Sequence, residues 1–113
     1  MPGISIHVVD VSRGLVAAGM RVELLQGERL IAAGRVSAKG LLEAQALAGS
    51  FAPGSYEARF NVAQWYREQG VALPANPFLD VVSYRFGVAD TQQHYHLPFK
   101  CTPWGYSCFR GGA

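Results

Sequence analysis

Period-two alternation of apolar and polar residues recurs in short runs along nearly the whole chain, and one segment alone carries a convincing helical signature. In residues 4–10, Ile4, Ile6 and Val8 point one way while Ser5, His7 and Val9 point the other. Ser12-Arg13-Gly14 breaks that run. A second strand, 20–26, places Met20, Val22 and Leu24 on one face, and a third, 30–36, ends at the turn Ser37-Ala38-Lys39-Gly40. Residues 41–44 make a short fourth strand, and 45–54, with Gly49, Pro53 and Gly54, reads as a loop. Tyr56, Ala58 and Phe60 alternate with Ser55, Glu57 and Arg59 in a fifth.

Asn61 then suits a helix N-cap with Gln64 as its capping-box partner, and Gly70 suits the position just past the helix end. A helix of about nine residues is marginal alone, so it has to lean on the strands. A sixth strand covers 79–88, a seventh 93–101 and an eighth 104–110, with Thr102-Pro103 ending the seventh. Eight short strands with one helix after the fifth predict an all-β, two-sheet sandwich.

A chain of 113 residues is expected to form one domain, 1–113. Half its residues are apolar and 16% are charged, which fits a folded chain rather than a disordered one. Net charge is +2 and the ten basic residues are scattered, so no nucleic-acid partner is expected. Apolar stretches fall far short of the roughly 20 residues of a membrane span, so no membrane partner is expected either. Met1-Pro2-Gly3 leads directly into a strand pattern without a signal segment, and the expected location is cytoplasmic. Cys101 and Cys108 flank a turn and could face each other across a hairpin, but in a reducing compartment two free thiols are the expectation. Without CxxC or HExxH, three histidines do not make a metal site, and no metal or other cofactor is expected.

The chemistry-bearing residues lie on the first and seventh strands. His94, His96, Pro98 and Lys100 share one face of the seventh, while Tyr95, Leu97, Phe99 and Cys101 form the opposite, apolar stripe. On that stripe Cys101 is a core thiol rather than a nucleophile. A histidine on an outward face can be simply solvated. Two imidazoles brought together could instead serve as acid and base near neutral pH, with a cation such as Lys100 or Arg110 stabilising an oxyanion. Spacing alone does not show that these two strands meet.

The segment His7-Val8-Val9-Asp10-Val11-Ser12-Arg13-Gly14, with Ala17-Ala18-Gly19 after it, resembles the first motif of the transthyretin-like family. Tyr95-His96-Leu97-Pro98, followed by Pro103-Trp104-Gly105-Tyr106-Ser107, resembles the second. Tyr56 to Phe60 and the helix around Trp65-Tyr66 fit as well, so the likeness covers essentially the whole chain. Histidines in both motifs point to the 5-hydroxyisourate hydrolase branch rather than the hormone carrier. That resemblance implies a homotetramer, a dimer of dimers, with sites in the central channel and a ring of an oxidised urate as substrate.

It also implies that His7 and His96 are the catalytic histidines. The family's terminal Tyr-Arg-Gly-Ser falls on Phe109-Arg110-Gly111-Gly112, keeping Arg110 and Gly111, losing two hydroxyls and adding Ala113. The family's other site arginine falls on Leu41, directly after Gly40. Lys100 stands where leucine is usual and could restore positive charge, although an ammonium cannot copy a bidentate guanidinium. Arg35 is a weaker substitute. Retained histidines and Arg110 beside lost polar anchors suggest a changed substrate, a small cyclic amide, imide or related heterocycle. In that reading Arg110 and Lys100 hold an oxyanion or carboxylate, Leu41 and Phe109 form an apolar wall, and Pro98 and Gly111 complete the pocket. Ring closure or isomerisation by the same proton chemistry is one alternative, and a non-catalytic binder of a small ligand is another.

Overall fold

Alternation along the first run buries Ile4, Ile6 and Val8 completely or nearly so and leaves Ser5, His7 and Val9 half-buried on the opposite side. This run is strand β1, Gly3–Asp10, in a computed structural model that describes residues 2–112. Met1 and the extra terminal residue Ala113 lie outside the described residues. The further strands are β2 (Leu15–Val16), β3 (Arg21–Gln26), β4 (Arg29–Arg35), β5 (Gly54–Asn61), β6 (Val81–Val88), β7 (His94–Thr102) and β8 (Gly105–Cys108). One helix, α1 (Val62–Glu68), follows β5. The strands form two four-stranded sheets, in the orders β2-β1-β7-β8 and β4-β3-β5-β6.

The expected two-sheet β-sandwich is therefore present, with several elements drawn differently. No strand forms over 41–44. Leu41-Leu42 puts two leucines in succession where a strand would alternate, and the segment bridges β1 once, between His7 and Leu41. It then turns Leu42 and Leu47 into the core through a 3-10 helix, Gln45–Ala48, inside the expected loop. The eighth strand of the count is instead β2, two residues that pair with Val9 and Asp10 and are too short to show as alternation. The last strand stops at Cys108, two residues before its expected end.

Between the sheets, Phe60 of β5 and Phe99 of β7 stack with centroids 3.8 Å apart and planes 5° from parallel. Such stacked pairs add to the free energy of simple apolar burial. Helix α1 is pinned as its shortness requires. Trp65 and Tyr66 are buried, with Trp65 Nε1–H donating to the Ala18 carbonyl at 2.8 Å and the Tyr66 hydroxyl to Asp10 Oδ1 at 2.7 Å. Asn61 does not cap this helix with its side chain. Its amide donates instead to the Arg21 carbonyl, while the first helical amides, Val62 and Ala63, donate to the Asp80 carbonyl. Gln64 correspondingly reaches forward to Glu68 rather than back to a cap. Gly70 follows the helix with φ +81°, a left-handed conformation that other residues adopt at a cost.

Asp10 ends β1 fully buried and collects bonds from Tyr66, from Arg13 Nε at 2.7 Å and from the Ser12 amide at 3.0 Å. Burial alone would raise its carboxyl, but bonds from Ser12, Arg13 and Tyr66 together outweigh it and hold the group below its ordinary value. Both thiols are free. The register sets Phe99 opposite Cys108 and Cys101 opposite Tyr106, so the two cysteines do not face each other as the turn between them suggested. No helix among the described residues is long and apolar enough to cross a membrane.

Candidate functional site

β1 and β7 are hydrogen-bonded neighbours running parallel, which joins the two histidine-bearing strands that spacing could not connect. The register sets Ser5 opposite His96, His7 opposite Pro98 and Val9 opposite Lys100. Paired residues share a face, so His7 and His96 lie one diagonal step apart on the side of the sheet away from the core. Both are half-buried. Burial, followed by the neighbouring charges of His7 and His94, pushes the His96 imidazole below its ordinary value, so its neutral form prevails at neutral pH.

Two backbone bridges flank the pair. His7 faces Leu41 across one, and His96 faces Gly111 across the other, where the Gly111 amide donates to the His96 carbonyl at 2.7 Å. Both bridges bring a glycine against an imidazole. A β-carbon at Gly40, where φ is +84°, would stand 2.7 Å from His7 Nε2 and 2.8 Å from Val16. One at Gly111 would stand 2.8 Å from His96 Cδ2 and 3.1 Å from the Pro98 ring. Only glycine lets these segments close over the rings without moving them.

His7 Nε2 lies 3.2 Å from the Lys39 carbonyl oxygen, an acceptor only, so this nitrogen carries the proton. Ser5 Oγ lies 2.6 Å from His96 Nδ1 and 2.8 Å from His94 Nε2. His94 is thus tied to the site through Ser5. The sequence reading left out Ser5 and Gly40. Ser5 could have been found by its place two residues before His7 on the same alternating face.

Lys100 is on the histidine face, exposed, with Nζ 5.8 Å from the centroid of Phe109. Arg110 goes elsewhere. The alternation that lays Gly111 against His96 turns Arg110 to the other side, where its guanidinium stacks 4.1 Å from the Tyr95 centroid. It donates to Gln93 Oε1 at 3.0 Å and to the His94 carbonyl at 3.2 Å. The chain therefore brings together His7, His96, Leu41, Pro98 and Gly111, with Lys100 and Phe109 below them, and does not bring Arg110 to the imidazoles. A cavity of about 460 Å³ opens beside Ser5 and His94, walled by Ile4, Leu41, Leu42 and Leu47. Its lining is overwhelmingly apolar, with Leu41 in its wall. Among the described residues no group of histidine, cysteine and acidic side chains could hold a metal ion.

The family model described as HIUase/Transthyretin matches residues 4–111. A 5-hydroxyisourate hydrolase of Deinococcus radiodurans is 42% identical, over 97% of this chain and 96% of its own. Among solved structures, 5-hydroxyisourate hydrolase of Klebsiella pneumoniae superposes with a TM-score of 0.85 at 27% identity, covering 99% of this chain and all of the other. The crystal structure of (S)-allantoin synthase superposes with a TM-score of 0.87 at 30% identity, but this chain spans only 43% of that one. With the histidine face, the two-sheet topology and these matches in agreement, the chain belongs to the HIUase/Transthyretin family as one of its hydrolase-like enzymes.

Proposed function

We propose that this chain opens a small cyclic amide, imide or related heterocycle by hydrolysis, with His96 as general base and His7 as general acid. The observation that carries the reading is the β1–β7 register, which supports both imidazoles on one outward face. Water attacks a ring carbonyl carbon and gives its proton to His96, which burial keeps unprotonated and so free to accept it. The ring C–N bond then breaks, and the departing nitrogen takes a proton from the imidazolium form of His7, which is left as the neutral ring with its Nε2–H on the Lys39 carbonyl. Lys100, a cation on this face, stabilises the oxyanion in this reading. Arg110, stacked on Tyr95, holds down the tail that presents Gly111 to His96. The step needs no cofactor beyond water.

The substrate in this reading differs from that of the hydrolases named above. Leu41 stands beside His7 where the family places an arginine, and Phe109 and Gly112 replace a tyrosine and a serine. An anion anchored by that arginine would lie unpaired against leucine, at a cost of several kcal/mol, roughly, if buried. A heterocycle with an apolar substituent matches the cavity walled by Leu41, Leu42 and Leu47. The assembly in this reading is a homotetramer, a dimer of dimers whose channel encloses the histidine faces. Exposed Val11, Leu15, Trp104 and Phe109 offer apolar area for its contacts. A monomer at micromolar concentration in solution scattering would remove the channel from the account. A cytoplasmic setting, where both thiols stay reduced, belongs to the same reading.

Turnover of freshly generated 5-hydroxyisourate and of apolar-substituted cyclic imides, by the native chain and by His7→Ala and His96→Ala, tests the proposal. Loss of turnover in both variants supports it. Turnover indifferent to both histidines defeats it, and saturable binding without chemical change would identify a ligand-binding protein instead. Because His96 is held below the ordinary imidazole value of 6.5 and works unprotonated, the acid limb of kcat/KM is expected below pH 6.5. A limb above that value would contradict the assignment. Gly111→Ala is expected to lower kcat about tenfold by displacing the His96 ring, with little change in thermal midpoint, in the same turnover assay beside thermal unfolding.

The likeness to (S)-allantoin synthase supports a second reading, in which the same face closes or isomerises a ring without water. Incorporation of solvent oxygen separates the two readings.

A further inference from the structure

Ser5 has one hydroxyl proton and stands between two imidazoles, 2.6 Å from His96 Nδ1 and 2.8 Å from His94 Nε2. It donates to one and accepts from the other. Beyond it, His94 Nδ1 lies 3.5 Å from the Pro2 carbonyl oxygen, which can only accept. Two proton orders are open to the neutral groups. In the first, His94 carries its proton on Nε2 and aims a bare Nδ1 lone pair at the Pro2 oxygen, an electrostatic repulsion. In the second, His94 Nδ1–H points at Pro2, the Ser5 hydroxyl donates to His94 Nε2, and His96 Nδ1–H donates to Ser5. The second order pairs every proton with an acceptor.

Its consequence appears at the far end of the chain of bonds. With Nδ1 protonated, His96 has its lone pair on Nε2, the nitrogen turned away from Ser5. We infer that Ser5 and His94 are positioning residues, which use the fixed Pro2 carbonyl to hold His96 in the Nδ1–H tautomer and so make Nε2 the proton acceptor. This rests on the reading of His96 as general base and deepens it. When Nε2 takes a proton from water, His96 becomes an imidazolium whose Nδ1–H already points at an oxygen. No bond in the relay has to reverse. The other ionisable group felt by His96 is His7 on β1, while the tail presents only the Gly111 backbone.

Nitrogen-15 NMR of the imidazoles in the full chain reads the tautomer directly, and turnover of apolar-substituted cyclic imides and of 5-hydroxyisourate by the same samples reads its consequence. The native chain is expected to show His96 protonated on Nδ1 and bare on Nε2. Ser5→Ala is expected to give a mixture of tautomers and a kcat about tenfold lower, with KM nearly unchanged. Ser5→Thr, which keeps a hydroxyl, is expected to restore both signals. His94→Phe should behave as Ser5→Ala does, and His94→Gln, which keeps an acceptor toward Ser5, should recover most of the loss.

A native His96 protonated on Nε2 would overturn the inference, and so would Ser5→Ala with tautomer and kcat unchanged. If the tautomer and its response to Ser5→Ala are as expected but no heterocycle is turned over, the relay stands and the hydrolase reading falls. If turnover depends on His96 and the tautomer is the opposite one, the relay alone falls.

Discussion

Replacing His96 with glutamine is expected to lower kcat/KM by about 100- to 10,000-fold, the usual worth of a positioned acid–base group. Both kcat and kcat/KM should fall, because the proton moves only on the way to the transition state. Folding should survive. The ring lies outside the sandwich core, and its side-chain bond in the described residues is the one to Ser5. Losing that bond costs about 1 kcal/mol, and a glutamine amide can partly replace it. Steady-state kinetics beside a thermal melt checks both halves of the expectation. A variant that melts with the native chain and retains most of its turnover would exclude His96 as the base.

Asp10→Ala is expected to destabilise the fold by about 2–4 kcal/mol, read as a lower urea midpoint with an unchanged slope. The carboxylate is the acceptor for the buried Tyr66 hydroxyl, the Ser12 amide and Arg13 Nε. Removing it leaves the first of these buried without an oxygen. It also frees α1 from β1, and a seven-residue helix has little stability of its own. The pH dependence has a definite sign. A carboxyl held lower in the folded chain than in the unfolded one contributes stability above its ordinary value, and that contribution fades as pH falls through the lowered folded value. Urea midpoints of the native chain should therefore drop on acidification, and those of Asp10→Asn should drop less. Parallel acid profiles for the two proteins would show that Asp10 does not carry the effect.

The faces of the first and seventh strands were legible in the sequence because a strand has a period of two. Ile4, Ile6 and Val8 and the stripe Tyr95, Leu97, Phe99 and Cys101 are buried as their spacing requires. Which strands would pair was not legible, since hydrogen-bonding partners leave no mark on alternation. Resemblance to a family supplied that step, and the parallel register of β1 and β7 agrees with it.

Structure and local pattern part where a residue answers to a distant backbone atom. Asn61 has the chemistry of an N-cap, yet the distant Asp80 carbonyl takes the helical amides and frees the side chain for Arg21. Residues 41–44 contain strand-forming side chains but end their pairing after one bridge, because Leu42 and Leu47 find core on the way to β5. Arg110 counts as a site residue by its motif. Its direction, however, depends on Gly111 pairing with His96, a contact no local pattern announces. Ser5 was overlooked for the opposite reason. It is an ordinary outward strand residue until the register sets it between two imidazoles.

Hydrolysis itself is read by incubating the native chain with apolar-substituted cyclic imides and with 5-hydroxyisourate in oxygen-18 water and weighing the products by mass spectrometry against enzyme-free controls. The expected result is an opened product carrying one solvent oxygen in its new carboxylate, formed faster than in the control by the native chain and close to the control rate by His96→Gln. An enzyme-dependent product without solvent oxygen would contradict hydrolysis and move the chain to ring closure or isomerisation.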